Sequence, residues 1–359
     1  MKILQRYYIS EFFKILGILA FGLAMIFSLL DLIDKIDNFI PGKLSFIGFI
    51  HYAVLNLPKY LYYLLPMSLL ICSLFIFSQA ARYKEITVIK ATGGRLTRLF
   101  YPFIILGILL SLFGFVLGEF VMPDFSDRTI EFKRTFMKGG DKYAFKEGTL
   151  WLRGTNGAFI RIELYIPDKK LAKGISIFLT EQSSLKNRIE AEEALWIGKE
   201  GSEGIWKLRG VIIYDVEKGT VNKLHETDYP YLESPDLFRK EIKGPQEMGI
   251  GELYRYAKRL KAAGFQDTNL IVDLNSKVSY PLTNFIMIML GMSFSVMGRI
   301  GGGLIAAGVG IAISFVYWLT YTLMLSLGYA RIIPPIAAGW VVPVIFGAIA
   351  FYLFKKIPE

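Results

Sequence analysis

The stretch Ala80 to Arg98, AARYKEITVIKATGGRLTR, sets Arg82, Lys84, Lys90, Arg95 and Arg98 around one acid, Glu85. These residue types make no bonds, but they suit recognition. A short basic helix with Ile86 and Ile89 on a nearby face fits a groove of a soluble motor protein, where Glu85 can pair with a motor cation. The same residues also read as an ordinary exposed pair between Glu85 and Arg82, three positions earlier, which contributes ~0.2–0.5 kcal/mol. Sequence alone leaves both readings standing.

Residue types suited to catalysis do not assemble elsewhere. There is no GxxxxGK[ST] phosphate loop, no GxSxG elbow, no HExxH helix and no histidine placed beside a candidate serine. His51 and His225 lie far apart without cysteine partners, which makes no metal site. Cys72 is the one cysteine, so no disulfide framework exists. The apolar runs are nearly free of ionisable groups, which argues against an intramembrane enzyme or a proton-coupled carrier. The expectation is a non-catalytic chain with no metal or cofactor of its own, drawing any energy for transport from a partner.

The elements that must position the basic stretch are membrane spans. A chain of 359 residues that is 53% hydrophobic, with mean hydropathy +0.42, is too apolar for a soluble domain, yet its middle is too charged for a bilayer. A membrane protein with an inserted soluble domain satisfies both facts. Spanning takes about 20 apolar residues. Runs free of Asp, Glu, Lys and Arg occupy 15–30, lengthened by Phe12 and Phe13, 60–81 with a kink at Pro66, 99–118, 278–298, 300–330 and 332–354. The first run begins after Lys14 and reaches spanning length directly, so no cleaved signal peptide is expected.

The net charge of +10 sits at the ends of these runs, with no base-reading motif, and reads as membrane orientation rather than nucleic-acid binding. One side collects Lys2, Arg6, the basic stretch, Arg299, Lys355 and Lys356. The other holds Lys35, Lys43, Lys59 and Arg331, offset by Asp31, Asp34 and Asp37. Both termini are therefore expected in the cytoplasm and the middle domain outside it. The organisation expected is 1–123 with three spans, 124–248 as a β domain, and 249–359 with a linker helix and three more spans.

In the middle domain Ile160, Ile162, Leu164 and Ile166 alternate with Arg161, Glu163 and Tyr165, and residues Trp206 to Val216 repeat the alternation. Thr155-Asn156-Gly157, Pro167-Asp168 and Lys218-Gly219 read as turns. Short strands at this spacing predict a sandwich or jelly roll. From 249 to 264 the period changes to helical, with Ile250, Leu253, Tyr254, Ala257 and Leu260 on one side. This is either an amphipathic helix on the membrane surface or a linker helix. Gly114 with Gly118, and the crowd from Gly301 to Gly310, mark close packing, either internal or along a mobile seam between subunits.

Over its full length the chain resembles the permeases of the lipopolysaccharide-export ABC transporter, the LptF/LptG family. The residues that carry the resemblance are RYKEITVIKATGGRLTRL at 82–99, GEFVMP at 118–123, KVSYPL at 277–282 and the pair Pro334-Pro335. The resemblance implies an α-helical membrane protein with six spans, three and three, around an inserted periplasmic all-β jelly-roll-like domain. It implies an inner-membrane location and partnership with a dimeric LptB-type ATPase, which binds the ATP and Mg. It further implies a second permease, a single-span LptC-type protein and lipopolysaccharide as the substrate, extracted from the outer leaflet and passed to a periplasmic bridge. By the resemblance Glu85, with Arg82, Lys84, Ile86 and Ile89, forms the ATPase-coupling segment, and the first and fifth helices line the lipid cavity. LQRYYISEFFK and LLDLIDKIDNF are closer to the LptG type, which pairs with an LptF type.

One departure concerns charge. LptG-type chains tend to carry bases where the first helix leaves the membrane, whereas here Asp31, Asp34 and Asp37 accompany Lys35 alone. Such carboxylates repel phosphate unless divalent cations bridge them. Lys35, Lys59, Lys277 and Arg331, by their expected outer-leaflet depth, are the candidate phosphate contacts, with plain interfacial anchoring as the other reading. Two rival functions remain: a membrane-anchored scaffold whose outer β domain captures a partner protein, and a permease that transmits force to that domain without moving substrate.

Overall fold

The computed structural model describes residues 2–39, 45–136, 143–146, 149–153, 158–166, 170–181, 184–197, 204–215, 219–232, 244–262, 268–297 and 302–357. Within them six helices are long and apolar enough to cross a membrane. Helix α1 (Lys2–Asp34) leads to α2 (Phe46–Arg82), the short α3 (Glu85–Ala91) and α4 (Leu96–Val116). A π turn (Leu117–Val121) joins α4 to α5 (Met122–Phe136). After the sheet come α6 (Ile250–Ala262), α7 (Thr268–Met297), α8 (Gly303–Tyr329) and α9 (Pro335–Lys355).

Helices α2 and α7 form the centre, each with 67% of its spanning window buried. Helix α1 lies on α2 through a stripe of every fourth residue, Tyr8, Phe12, Leu16, Ala20, Ala24 and Ser28, all buried. Such i, i+4 spacing keeps one line of side chains on one face. The glycines explain how closely the helices approach. A Cβ on Gly291 of α7 would lie 1.8 Å from Ser73 Oγ of α2, and one on Gly114 would lie 2.5 Å from Asn284 Nδ2. Gly303 and Gly310 of α8 likewise face Phe75 and Ile71 of α2. These small residues therefore serve packing inside the chain. Gly301 of the same crowd falls outside the described residues.

Several helices extend beyond their uncharged runs, α2 and the third span among them. Helix α2 starts at Phe46, where the Ser45 side chain accepts the Gly48 N–H at 3.4 Å as an N-cap. The third span does not end near Gly118. It runs through the π turn into α5, whose Phe125, Thr129, Phe132 and Phe136 recur at helical spacing, with the Phe132 ring 5.9 Å from that of Tyr52 on α2. That apolar stripe against α2 is what carries the helix through Asp124 and Asp127.

Among the described residues the inserted domain is one antiparallel sheet of seven strands in sequence order, β1 (Tyr143–Lys146), β2 (Thr149–Arg153), β3 (Phe159–Ile166), β4 (Leu171–Glu181), β5 (Ser184–Ile197), β6 (Ile205–Asp215) and β7 (Thr220–Tyr229). The alternations read from sequence are β3 and β6. The turns at Thr155-Asn156-Gly157, Pro167-Asp168 and Lys218 lie outside the described residues. In a flat sheet β3 and β6 would lie about 14 Å apart at ~4.8 Å per strand. The rings of Tyr165 and Trp206, one on each, have centroids 6.5 Å apart, so the sheet curls. Gly174 at φ 64 and Gly210 at φ 63 flank Glu192 across β4, β5 and β6 and interrupt both ladders at the same level. Glycine kinks lined up across strands are the device that bends a sheet.

The sheet is seated on the helices by Leu164, Ile166 and Leu171, which bury against Met248, Leu253 and Leu270. Leu253 is the inward residue of α6. Tyr256 and Ala257 pack partly against the same cluster, while Tyr254 on the apolar side is exposed.

Candidate functional site

The basic turn is built by two chain reversals. Helix α2 stops at Arg82, Lys84 takes φ 60, and α3 begins at Glu85. Gly93 at φ 72 ends α3, a left-handed conformation that glycine adopts at least cost, and the Gly94 N–H donates to the Ile89 carbonyl at 2.8 Å. Ile86 and Ile89 do not face outward. Both are buried, in one apolar cluster with Tyr8, Phe12, Leu96 and Leu99. They fasten the turn to the bundle, and the outward face carries Tyr83, Lys84, Thr87 and Val88 instead. An apolar face on so short a helix packs on whatever neighbour is nearest, and here α1 and α4 are within its reach.

Glu85 has a partner that sequence did not suggest. Its Oε2 accepts the hydroxyl of Tyr8 from α1. No ion pair joins Glu85 to Arg82; Arg82 crosses to the start of α8, where its Nη1 is 2.6 Å from the place a Cβ on Gly302 would take.

At the opposite ends of α1 and α2 a second cluster forms. Lys35 Nζ pairs with Asp31 at 2.5 Å, and the Tyr52 hydroxyl donates to the same carboxylate at 3.0 Å. Lys59 pairs with Glu247 at 3.1 Å, and Ser126 donates to the other Glu247 oxygen at 3.0 Å. A cleft between α2 and α5 is lined by Asn56, Lys59, Ser126, Thr129, Lys133 and Glu247. Lys133, half-buried, stands within electrostatic reach of Lys35, Lys59, Asp31 and Glu247. Burial alone would raise the Glu247 carboxyl, but the Lys59 charge and the bonds from Lys59 and Ser126 prevail and hold it below the ordinary carboxylate range.

Of the four bases expected at this depth, Lys35 and Lys59 come together here. Lys277 joins through the same segment as Glu247, donating to the Gln246 carbonyl at 2.8 Å. Arg331 turns the chain between α8 and α9 at φ 60 and is exposed. Lys133 was missed because the third span was taken to end before it; the helical stripe from Phe125 to Phe136 was the available signal. Among the described residues no group of three His, Cys, Asp or Glu side chains comes together.

Between the two clusters, α1 and α8 turn apolar side chains outward. Ile18, Phe21, Met25 and Ile26 on α1, and Ile311, Phe315, Trp318 and Leu319 on α8, are exposed. The inner face of α8 is held by Tyr317 and Tyr321, whose hydroxyls meet Thr283 at 2.7 Å and Ser279 at 3.3 Å. An apolar wall that ends in a group of bases can accommodate an anionic amphiphile.

The chain matches the family model described as lipopolysaccharide export system permease LptF/LptG over residues 6–356. It is 24% identical over 364 residues to the lipopolysaccharide export system permease protein LptG of Escherichia coli (strain K12), covering 99% of this chain and 98% of that protein. It is 22% identical over 307 residues to the protein of the same name from Haemophilus influenzae, covering 84% of each.

Proposed function

The chain belongs to the lipopolysaccharide export permease family LptF/LptG, and from that premise we propose that it is an LptG-type subunit that draws lipopolysaccharide from the outer leaflet, powered by a separate ATPase. Family and fold make it a multi-pass inner-membrane permease. The finer reading is that α1 and α8 line a cavity shared with an LptF-type permease. A dimeric LptB-type ATPase docks at the basic turn on the cytoplasmic side, binding ATP and Mg, and an LptC-type protein receives the lipid beside the sheet.

One observation carries this reading: the outward apolar faces of α1 and α8 lead from the basic turn toward the group Lys35, Lys59 and Lys133. Acyl chains suit the wall, and phosphates suit ammonium groups, of which Lys35 pairs with Asp31 and Lys59 with Glu247. The glycine-creased sheet would shield the acyl chains beyond the membrane.

The test is purification of the tagged chain from its native membrane in mild detergent, with mass spectrometry of proteins and lipids together. An ATPase, a second six-helix permease and lipopolysaccharide in the sample are expected. Recovery of periplasmic proteins without ATPase or glycolipid would replace this reading with that of a membrane-anchored scaffold.

A further inference from the structure

Four contacts tie the basic turn to α1. Tyr8 donates its hydroxyl to Glu85, at the start of α3. Gln5, three residues earlier on the same face, donates Nε2 to the Arg98 carbonyl at 2.7 Å, on the far side of the turn. Between these two bonds Ile86 and Ile89 are packed with Tyr8 and Phe12. The first turns of α1 therefore grip both arms of the loop. The covalent routes out of α3 are different in kind. They pass through Lys84 and Gly93, both at positive φ, where the helical hydrogen-bond ladder is broken.

We propose that Tyr8 is the positioning residue that makes α1 and the basic turn one mechanical unit, so that a motor's push on the turn is delivered to α1 through the Tyr8–Glu85 bond. The proposal rests on the reading of the turn as the motor-docking site. Helix α1 is suited to the task. From Tyr8 to Asp31 it is unbroken, about 35 Å at 1.5 Å per residue. Its far end is held by Ser28, which donates to the Ala53 carbonyl at 2.5 Å, and by Asp31 with Tyr52. Displacement at Tyr8 thus arrives at the group of Lys35 and Lys59. The Tyr8 ring is placed independently of its hydroxyl, 5.9 Å from the Phe77 ring, so the bond can be removed without emptying the ring's place.

The experiment uses the whole complex from its native membrane, reconstituted in vesicles containing lipopolysaccharide, and reads lipid released per ATP hydrolysed. Tyr8→Phe is expected to keep the same amount of bound ATPase, while release per ATP falls about tenfold, as for loss of a bond to a charged group. On a Glu85→Ala background the same change is expected to add nothing, because Tyr8 acts through Glu85. A wild-type ratio in Tyr8→Phe, loss of the ATPase from that variant, or an undiminished further loss on the Glu85→Ala background would overturn the proposal. A wild-type complex carrying no ATPase would overturn the docking reading and this proposal together, whereas wild-type coupling with an unaffected Tyr8→Phe removes this proposal alone.

Discussion

The carboxylate of Glu119, on the π turn of the third span, accepts the backbone N–H of Gly251 at 3.2 Å and that of Ile250 beside it. One residue thus caps a helix that begins more than a hundred positions later. It also puts negative charge at the N-terminus of α6, where the helix dipole favours it. Glu119 lies within the π turn.

Replacing Glu119 by alanine is expected to loosen the first turn of α6 by ~1 kcal/mol, the usual cost of a lost cap. Hydrogen exchange at Ile250, Gly251 and Leu253 should quicken severalfold while the spans keep their protection. Glu119→Gln, which retains an acceptor, should lie between. Unchanged exchange at these amides would remove the capping role.

The crease in the sheet depends on backbone that only glycine adopts at little cost. A Cβ on Gly174 would lie 2.7 Å from Glu163 Oε2, and one on Gly210 would lie 2.9 Å from the Glu192 carboxyl. Gly174→Val and Gly210→Val are each expected to destabilise the sheet domain by ~1–3 kcal/mol through positive φ. The readout is protease resistance of the domain against that of the helices, and equal resistance to wild type would count against the crease.

Glu247 supplies a pH dependence with a definite sign. Its carboxyl is held below the ordinary range in the folded chain. Its contribution is therefore full above the unfolded pKa, about 4.3, and is lost as pH falls through the lower folded value. Stability of the detergent-solubilised chain should decline on acidification below that range. Glu247→Gln should start lower and show a shallower decline; a slope identical to wild type would exclude Glu247 as its source.

Lys35, Lys59, Lys277 and Arg331 changed together to alanine are expected to lower photo-crosslinking to lipopolysaccharide several-fold, and adding Lys133→Ala should lower it further. Unchanged crosslinking in the quadruple variant would reduce these residues to interfacial anchors. Lys59 carries an additional consequence, since removing it leaves Glu247 partly buried without its cation.

Glu85→Ala should keep the fold, as Ile86 and Ile89 hold the turn, yet uncouple ATP turnover from lipid release. Glu85→Lys should be worse, because it adds a base beside Arg82 and Lys84 and removes the acceptor for Tyr8. Wild-type release from vesicles containing Glu85→Ala would end the coupling role.

Long uncharged runs must be helical in a bilayer, because no water is there to satisfy free backbone groups, and so the spans were legible in the sequence. Alternation in β3 and β6 was legible for the corresponding reason, since a strand with one buried face shows it locally. The basic stretch at 80–98 was also legible as a distinct element, from its composition. None of these inferences needed a neighbour.

What the tertiary structure decided is which groups meet. Tyr8 and Glu85 are separated by 77 positions, Lys59 and Glu247 by 188, and no local pattern encodes such a pairing. The inward turn of Ile86 and Ile89, the extension of the third span through Asp124, and the curl of the sheet along Gly174 and Gly210 belong to the same class. Sequence by itself determined the spans, the basic stretch and two of the strands, because each is set by the solvent around a short stretch of chain. Their pairing depends on packing at distances the chain reaches only once folded.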